Sequence, residues 1–135
     1  MSRNIQNVEG IGPKYAEILK QHGIDTTDRL LELCCSRSGR EELTEKTSIS
    51  VSKILKWVNM CDLFRINGVA GQFAELLECS GVDTIKELRN RNAENLAMQM
   101  AEVNAEKRIC KSCPSTRTVS DWIRQAKALE PLVTY

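Results

Sequence analysis

Aromatic side chains are scarce in this chain: two Trp, two Tyr and two Phe make up 4% of its 135 residues. The core must therefore be aliphatic, and with only three prolines the composition favours helices over a β-sandwich. His22 is the single histidine, and no nucleophile or orienting group accompanies it as a catalytic set would require. No apolar run approaches the roughly 18 residues of a membrane span. The opening MSRNIQNVEG has no apolar stretch and no cleavage-like pattern, so no targeting segment is read and a cytoplasmic location is expected. Excess charge of one sign is also missing: 19 Lys and Arg face 18 Asp and Glu, a net charge of +1. A dedicated nucleic-acid binder is usually more basic.

What is present is an ordinary globular balance, 41% hydrophobic and 27% charged, organised by an internal repeat. Shifted by 58 residues, VEGIGPKYAEILKQHGID aligns without a gap on INGVAGQFAELLECSGVD. Gly10 meets Gly68, Ile11 meets Val69, Tyr15 meets Phe73, and Ala16 and Glu17 meet Ala74 and Glu75. Gly23, Asp25, Thr26 and Leu30 meet Gly81, Asp83, Thr84 and Leu88. At a shift of 65, Trp57-Val58 meets Trp122-Ile123, which implies an insertion in the second copy between about residues 90 and 117. Two copies are too few for a solenoid. The expected fold is all-α: two pseudo-symmetric repeats, 1–64 and 65–135, packed as one compact domain with a shared core.

Within the first copy, Tyr15, Ile18 and Leu19 recur at helical spacing over 13–22. Pro13 suits the first helical position and Gly23 the residue that ends the helix. Asp25-Thr26-Thr27 caps a second helix running to about Cys35. A further helix is expected over 39–47, and Ser50 caps a long one through about Ile66. In the second copy Gly71 opens a helix, Gly81 closes it and Asp83-Thr84 caps the next. Helices are expected near 93–103, 105–112 and 118–128, with Pro114 separating the last two. Trp57 and Trp122, at matching places, are read as packing anchors of the closing helices.

The segment Gly10-Ile11-Gly12 joins a short helix to a longer one. Ile11 is expected to point inward, leaving the backbone N–H groups around Gly12 and Lys14 facing outward at a helix N-terminus. Free N–H groups and the helix dipole attract anions there, and Lys14 adds a charge-assisted contact. VEGIGPKYAEILKQHGI resembles the helix-hairpin-helix motif, an apolar-Gly-apolar-Gly turn before a helix carrying Ala and Leu. Nearly the whole chain also resembles an uncharacterised bacterial family of tandem helix-hairpin-helix proteins. The motif implies binding of DNA backbone without sequence readout, with Gly10, Gly12 and Lys14 at its phosphate-binding positions. In the second copy Gly68 matches, but Ala70 replaces the second glycine, and Gly71 and Gln72 stand where Pro13 and Lys14 stood. Arg65, just upstream, is the nearest cation there.

The two halves are balanced in charge, but 107–127 holds Lys107, Arg108, Lys111, Arg117, Arg124 and Lys127 against only Asp121. This is read either as a solvated helix face or as basic support for phosphate. Cys61 and Cys79 fall on apolar helix faces and read as core residues. Cys110 and Cys113 form a C-x-x-C, but a structural zinc site needs four ligands, and the adjacent pair Cys34-Cys35 is poorly spaced to complete one. No metal, cofactor or small-molecule substrate is expected. There is no phosphate-binding loop of the Walker type, no dinucleotide fingerprint and no catalytic constellation. The expected function is therefore non-enzymatic, with duplex DNA as the leading partner. The alternative is a protein-interaction adaptor on the same helical scaffold.

Overall fold

The structure is a computed structural model describing residues 3–69 and 71–135. Among the described residues it is all-helical. A 3-10 turn, Ile5–Asn7, precedes α1 (Pro13–Gln21), α2 (Thr27–Cys34), α3 (Arg37–Thr47) and α4 (Val51–Leu63). Then follow α5 (Gly71–Cys79), α6 (Ile85–Leu88), α7 (Ala93–Lys107) and α8 (Thr116–Ala128). The chain falls into two compact units, Met1–Asp62 with Leu132–Tyr135, and Leu63–Pro131. The last four residues thus belong to the first unit, not the second.

In the first unit the helix ends are specified by single side chains. The Thr26, Ser36 and Ser50 hydroxyls accept from the backbone N–H of Arg29, Gly39 and Lys53, each three residues on. The entering segment is laced to the start of α2: Ile5 N donates to Asp25 O at 3.0 Å and Thr27 N to Arg3 O at 2.8 Å. Ile5, Val8, Ile11, Leu19, Ile24, Leu30, Ile54 and Trp57 are buried. Helices α2 and α3 pack closely because Gly39 has no side chain: a Cβ there would lie 2.0 Å from Leu33 O.

Arg40 is 2% exposed, which is exceptional for a guanidinium. It donates to Cys34 O and Cys35 O, both at 3.0 Å, and to Thr134 O at 2.5 Å. The first two are carbonyls at the end of α2, which have no partner within the helix. Thr134 N donates in turn to Cys35 O at 2.9 Å, and Val133 is buried beside it. One cation thus closes α2 and clasps the C-terminal residues.

In the second unit α7 packs on α5 and α8, and α6 on α8. Leu76, Leu77, Leu88, Leu96, Met100, Val119 and Trp122 form its core. Thr84, Asn92 and Ser115 cap α6, α7 and α8.

Three sequence expectations are corrected. Helix α4 stops at Leu63, and Ile66 N bonds back to Leu63 O in the following turn. No helix covers 105–112: α7 runs to Lys107, Arg108 takes the left-handed conformation at φ 53°, and 108–115 is a loop. That loop is fastened by Asn104, whose amide supplies alternatives to helical hydrogen bonds. Cys79 is exposed, because it closes α5 on its outer side, whereas Cys61 is buried as expected. The first unit also takes in Leu132–Tyr135, through the Arg40 clasp.

Candidate nucleic-acid interface

Gly10 adopts φ +94°, and a Cβ there would sit 3.2 Å from Trp57 Nε1. The turn needs glycine twice over, for its backbone angle and for the tryptophan behind it. Tyr15 stands edge-on to the same indole, centroids 5.1 Å apart. Ile11 is buried, and Ile11 N donates to Val8 O at 3.1 Å. The apolar residue between the glycines therefore pins the turn, and the backbone beyond it faces outward.

Gly12 is the N-cap of α1, exposed, and makes no side-chain cap bond. Its φ of −84° and ψ of −176° suit any residue, and a Cβ would meet nothing within 4 Å. The start of α1 is thus a bare helix terminus with open space before it. Lys14 is exposed in its first turn. Lys53, from α4, donates from Nζ to Tyr15 Oη at 3.0 Å. That hydrogen bond, with the ammonium charge and a smaller effect of Lys14, holds the Tyr15 phenol below its usual range. The structure thus adds Lys53 and Tyr15 to Gly12 and Lys14. No local pattern in the sequence marks Lys53, because it arrives from another helix.

The second turn is built alike in its backbone. Gly68 adopts φ +97°, and a Cβ would lie 3.1 Å from Trp122 Nε1. Phe73 packs on that indole, centroids 5.4 Å apart. Gly68→Ala is expected to lower stability by roughly 2 kcal/mol, from positive φ and the indole contact together. Thermal unfolding of the variant checks this; an unchanged midpoint would mean that the turn can move off the tryptophan. Ala70 lies outside the described residues, and Gly71 begins α5.

The second turn also carries a lock of its own. Gln125 accepts from Asn67 N at 2.8 Å and donates to Asn67 O at 3.2 Å. Of the basic residues in 107–127, Arg117 and Arg124 line a groove with Asn67 and Gly68. Arg124 is paired with Asp121, whose carboxyl is held below its usual range by hydrogen bonds from Arg124 and Gln125. Lys107, Arg108 and Lys111 lie on the end of α7 and the loop after it. Arg65 does not serve the turn alone: its guanidinium donates to Glu130 O at 2.9 Å. His22 is exposed at the C-cap of α1.

Among the described residues, no helix is long and apolar enough to cross a membrane. Nor does any group of three or more His, Cys, Asp or Glu side chains stand ready to hold a metal ion. The fold defines an all-helical protein whose two glycine turns each rest on a buried tryptophan. The chain belongs to the family described as Domain of unknown function (DUF4332), whose model matches residues 9–129. No curated protein and no solved structure matches it.

Proposed function

We propose that the chain binds the nucleic-acid backbone, duplex DNA in the first instance, without reading base sequence. On this reading each unit is a helix-hairpin-helix repeat, and the first supplies the contact. The observation that carries it is the start of α1: an exposed Gly12 with no capping side chain, flanked by Lys14 and by Lys53 at Tyr15. A phosphate oxygen placed there would accept from backbone N–H groups at the positive end of the helix dipole, with Lys14 in the same turn. The likeness of the Gly10 and Gly68 turns, each with its tryptophan, supports common descent of the two units.

With few phosphates neutralised, affinity is expected at about 10⁻⁴ to 10⁻⁶ M and falls with salt. Fluorescence anisotropy of a labelled duplex, titrated at several salt concentrations, measures it. Lys14→Glu should weaken binding and reduce the log-log salt slope by about 1. Gly12→Ser gives a sharper result, because its effects on folding and binding have opposite signs. Serine is a better cap than glycine by a few tenths of a kcal/mol, and its Cβ has room, so the melting temperature should hold or rise. Its hydroxyl would occupy the N–H groups a phosphate needs, so duplex affinity should fall. Equal duplex affinity in both variants and the unaltered chain would refute the turn as the contact. No binding at the lowest salt would favour the protein-adaptor reading.

A further inference from the structure

The loop after α7 brings two thiols under one side chain. Asn104 Oδ1 accepts from Cys110 N at 2.8 Å, and its Nδ2 donates to Cys110 O at 2.9 Å and to Cys113 Sγ at 3.2 Å. The chain bends at residues 111 and 112, so Cys113 folds back toward the residue it follows by three. The two sulfurs are in unlike settings. Cys113 is exposed, and its sulfur accepts a hydrogen bond from the Asn104 amide. Cys110 is buried, with its S–H directed at Gln72 O, 3.6 Å away in the first turn of α5. Burial raises its pKa, and the neighbouring Cys113 adds to the effect. An accessible attacking sulfur beside a sheltered partner is the arrangement of a dithiol that closes on itself.

We propose that Cys110 and Cys113 form a reversible disulfide site that reacts with small-molecule disulfides of the glutathione class. The Cys113 thiolate attacks one sulfur of the small disulfide, forming a mixed disulfide and expelling one thiolate. Cys110 gives up its proton to solvent, and its sulfur attacks Cys113 Sγ. The bond between 110 and 113 forms, and the second small thiolate leaves. The protein loses two electrons and two protons; the small disulfide gains both and departs as two thiols. Oxidation also removes the hydrogen that Cys110 directs at Gln72 O, releasing that contact at the start of α5.

The chain supplies its own control. Cys79 is exposed like Cys113, but among the described residues no second thiol is hydrogen-bonded into its surroundings as Cys110 is beside Cys113. Full-length protein is treated with oxidised glutathione until Cys79 is modified, quenched with acid and digested with trypsin without reductant. Cleavage after Arg108, Lys111 and Arg117 puts the two cysteines on separate peptides, ICK and SCPSTR. The expected product is these peptides joined, lighter by two hydrogens than the free pair, while Cys79 retains glutathione. In Cys110→Ser, Cys113 should retain glutathione as Cys79 does. If Cys113 of the unaltered chain keeps glutathione, or stays a free thiol while Cys79 is modified, the proposal is overturned.

Discussion

Gly39→Ala is expected to destabilise the first unit by about 3 kcal/mol, or to prevent its folding, even though alanine is the better helix former. Gly39 lies inside α3, and the exchange by itself would favour that helix by about 1 kcal/mol. Packing opposes this. The new Cβ would sit 2.0 Å from Leu33 O and 3.1 Å from Leu33 C. These are backbone atoms near the end of α2, so no side-chain rotation can relieve the overlap. The two helices must separate, and they carry Leu31 and Leu43, which are buried. Separation would also disturb the neighbouring Arg40 bonds to the end of α2. Urea unfolding followed by circular dichroism measures the difference. Wild-type stability in this variant would show that α2 and α3 do not approach each other as closely as the structure has them.

The second large effect is expected at Arg40. Two opposing terms decide it. A buried guanidinium loses its hydration, and none of its three acceptors is a carboxylate; replacing a buried ion with an apolar side chain can be neutral or favourable. The carbonyls it leaves decide the outcome. In Arg40→Met, Cys35 O keeps the Thr134 N–H, but Cys34 O and Thr134 O lose the guanidinium donor. Cys34 O is buried, and a buried acceptor left unsatisfied costs about 1–3 kcal/mol; Thr134 is exposed, so its carbonyl can turn to water, and the net loss should be about 2 kcal/mol. It should be accompanied by release of Leu132–Tyr135. Hydrogen exchange at the Thr134 amide reads the second effect apart from the first. A destabilised variant whose Thr134 amide stays protected would show that Val133 alone holds the tail; unchanged stability and protection would remove the clasp altogether.

The burial of Cys34 beside this clasp has a chemical consequence. Loss of hydration pushes its thiol up to about 11, against the opposing pull of Arg40. Burial likewise drives the Cys61 thiol far upward. At neutral pH both stay protonated, so in the glutathione experiment neither should react while the protein remains folded.

Much of this architecture was legible from local chemistry. Glycine after an amphipathic run, Thr or Ser three residues ahead of an amide, and proline at a first helical turn act over a few residues. They therefore marked the ends of α1 and α2 and the starts of α4 and α5 in the sequence itself. The match of Gly10 to Gly68 and of Trp57 to Trp122 was read as repetition at two different shifts, without its tertiary counterpart, an indole nitrogen within 3.2 Å of each missing Cβ. Residues 108–112 were misread as helix because the stabilising partner of that loop, the Asn104 amide, competes with helical bonds through a side chain that local propensity does not weigh. Cys79 was misread because an apolar stripe on a short helix does not say where the stripe ends.

The sequence by itself determined the class of the fold, the two glycine turns and the caps of α2, α4 and α6, and it nominated the contact at Gly12 and Lys14, because each depends on neighbours in the chain. Tertiary structure alone decided the rest. It brought Lys53 to Tyr15 across 38 residues, Gln125 to Asn67 across 58, and Arg40 to Thr134 across 94. Such pairings are set by how helices pack, and packing depends on the shape of the whole core rather than on any local pattern.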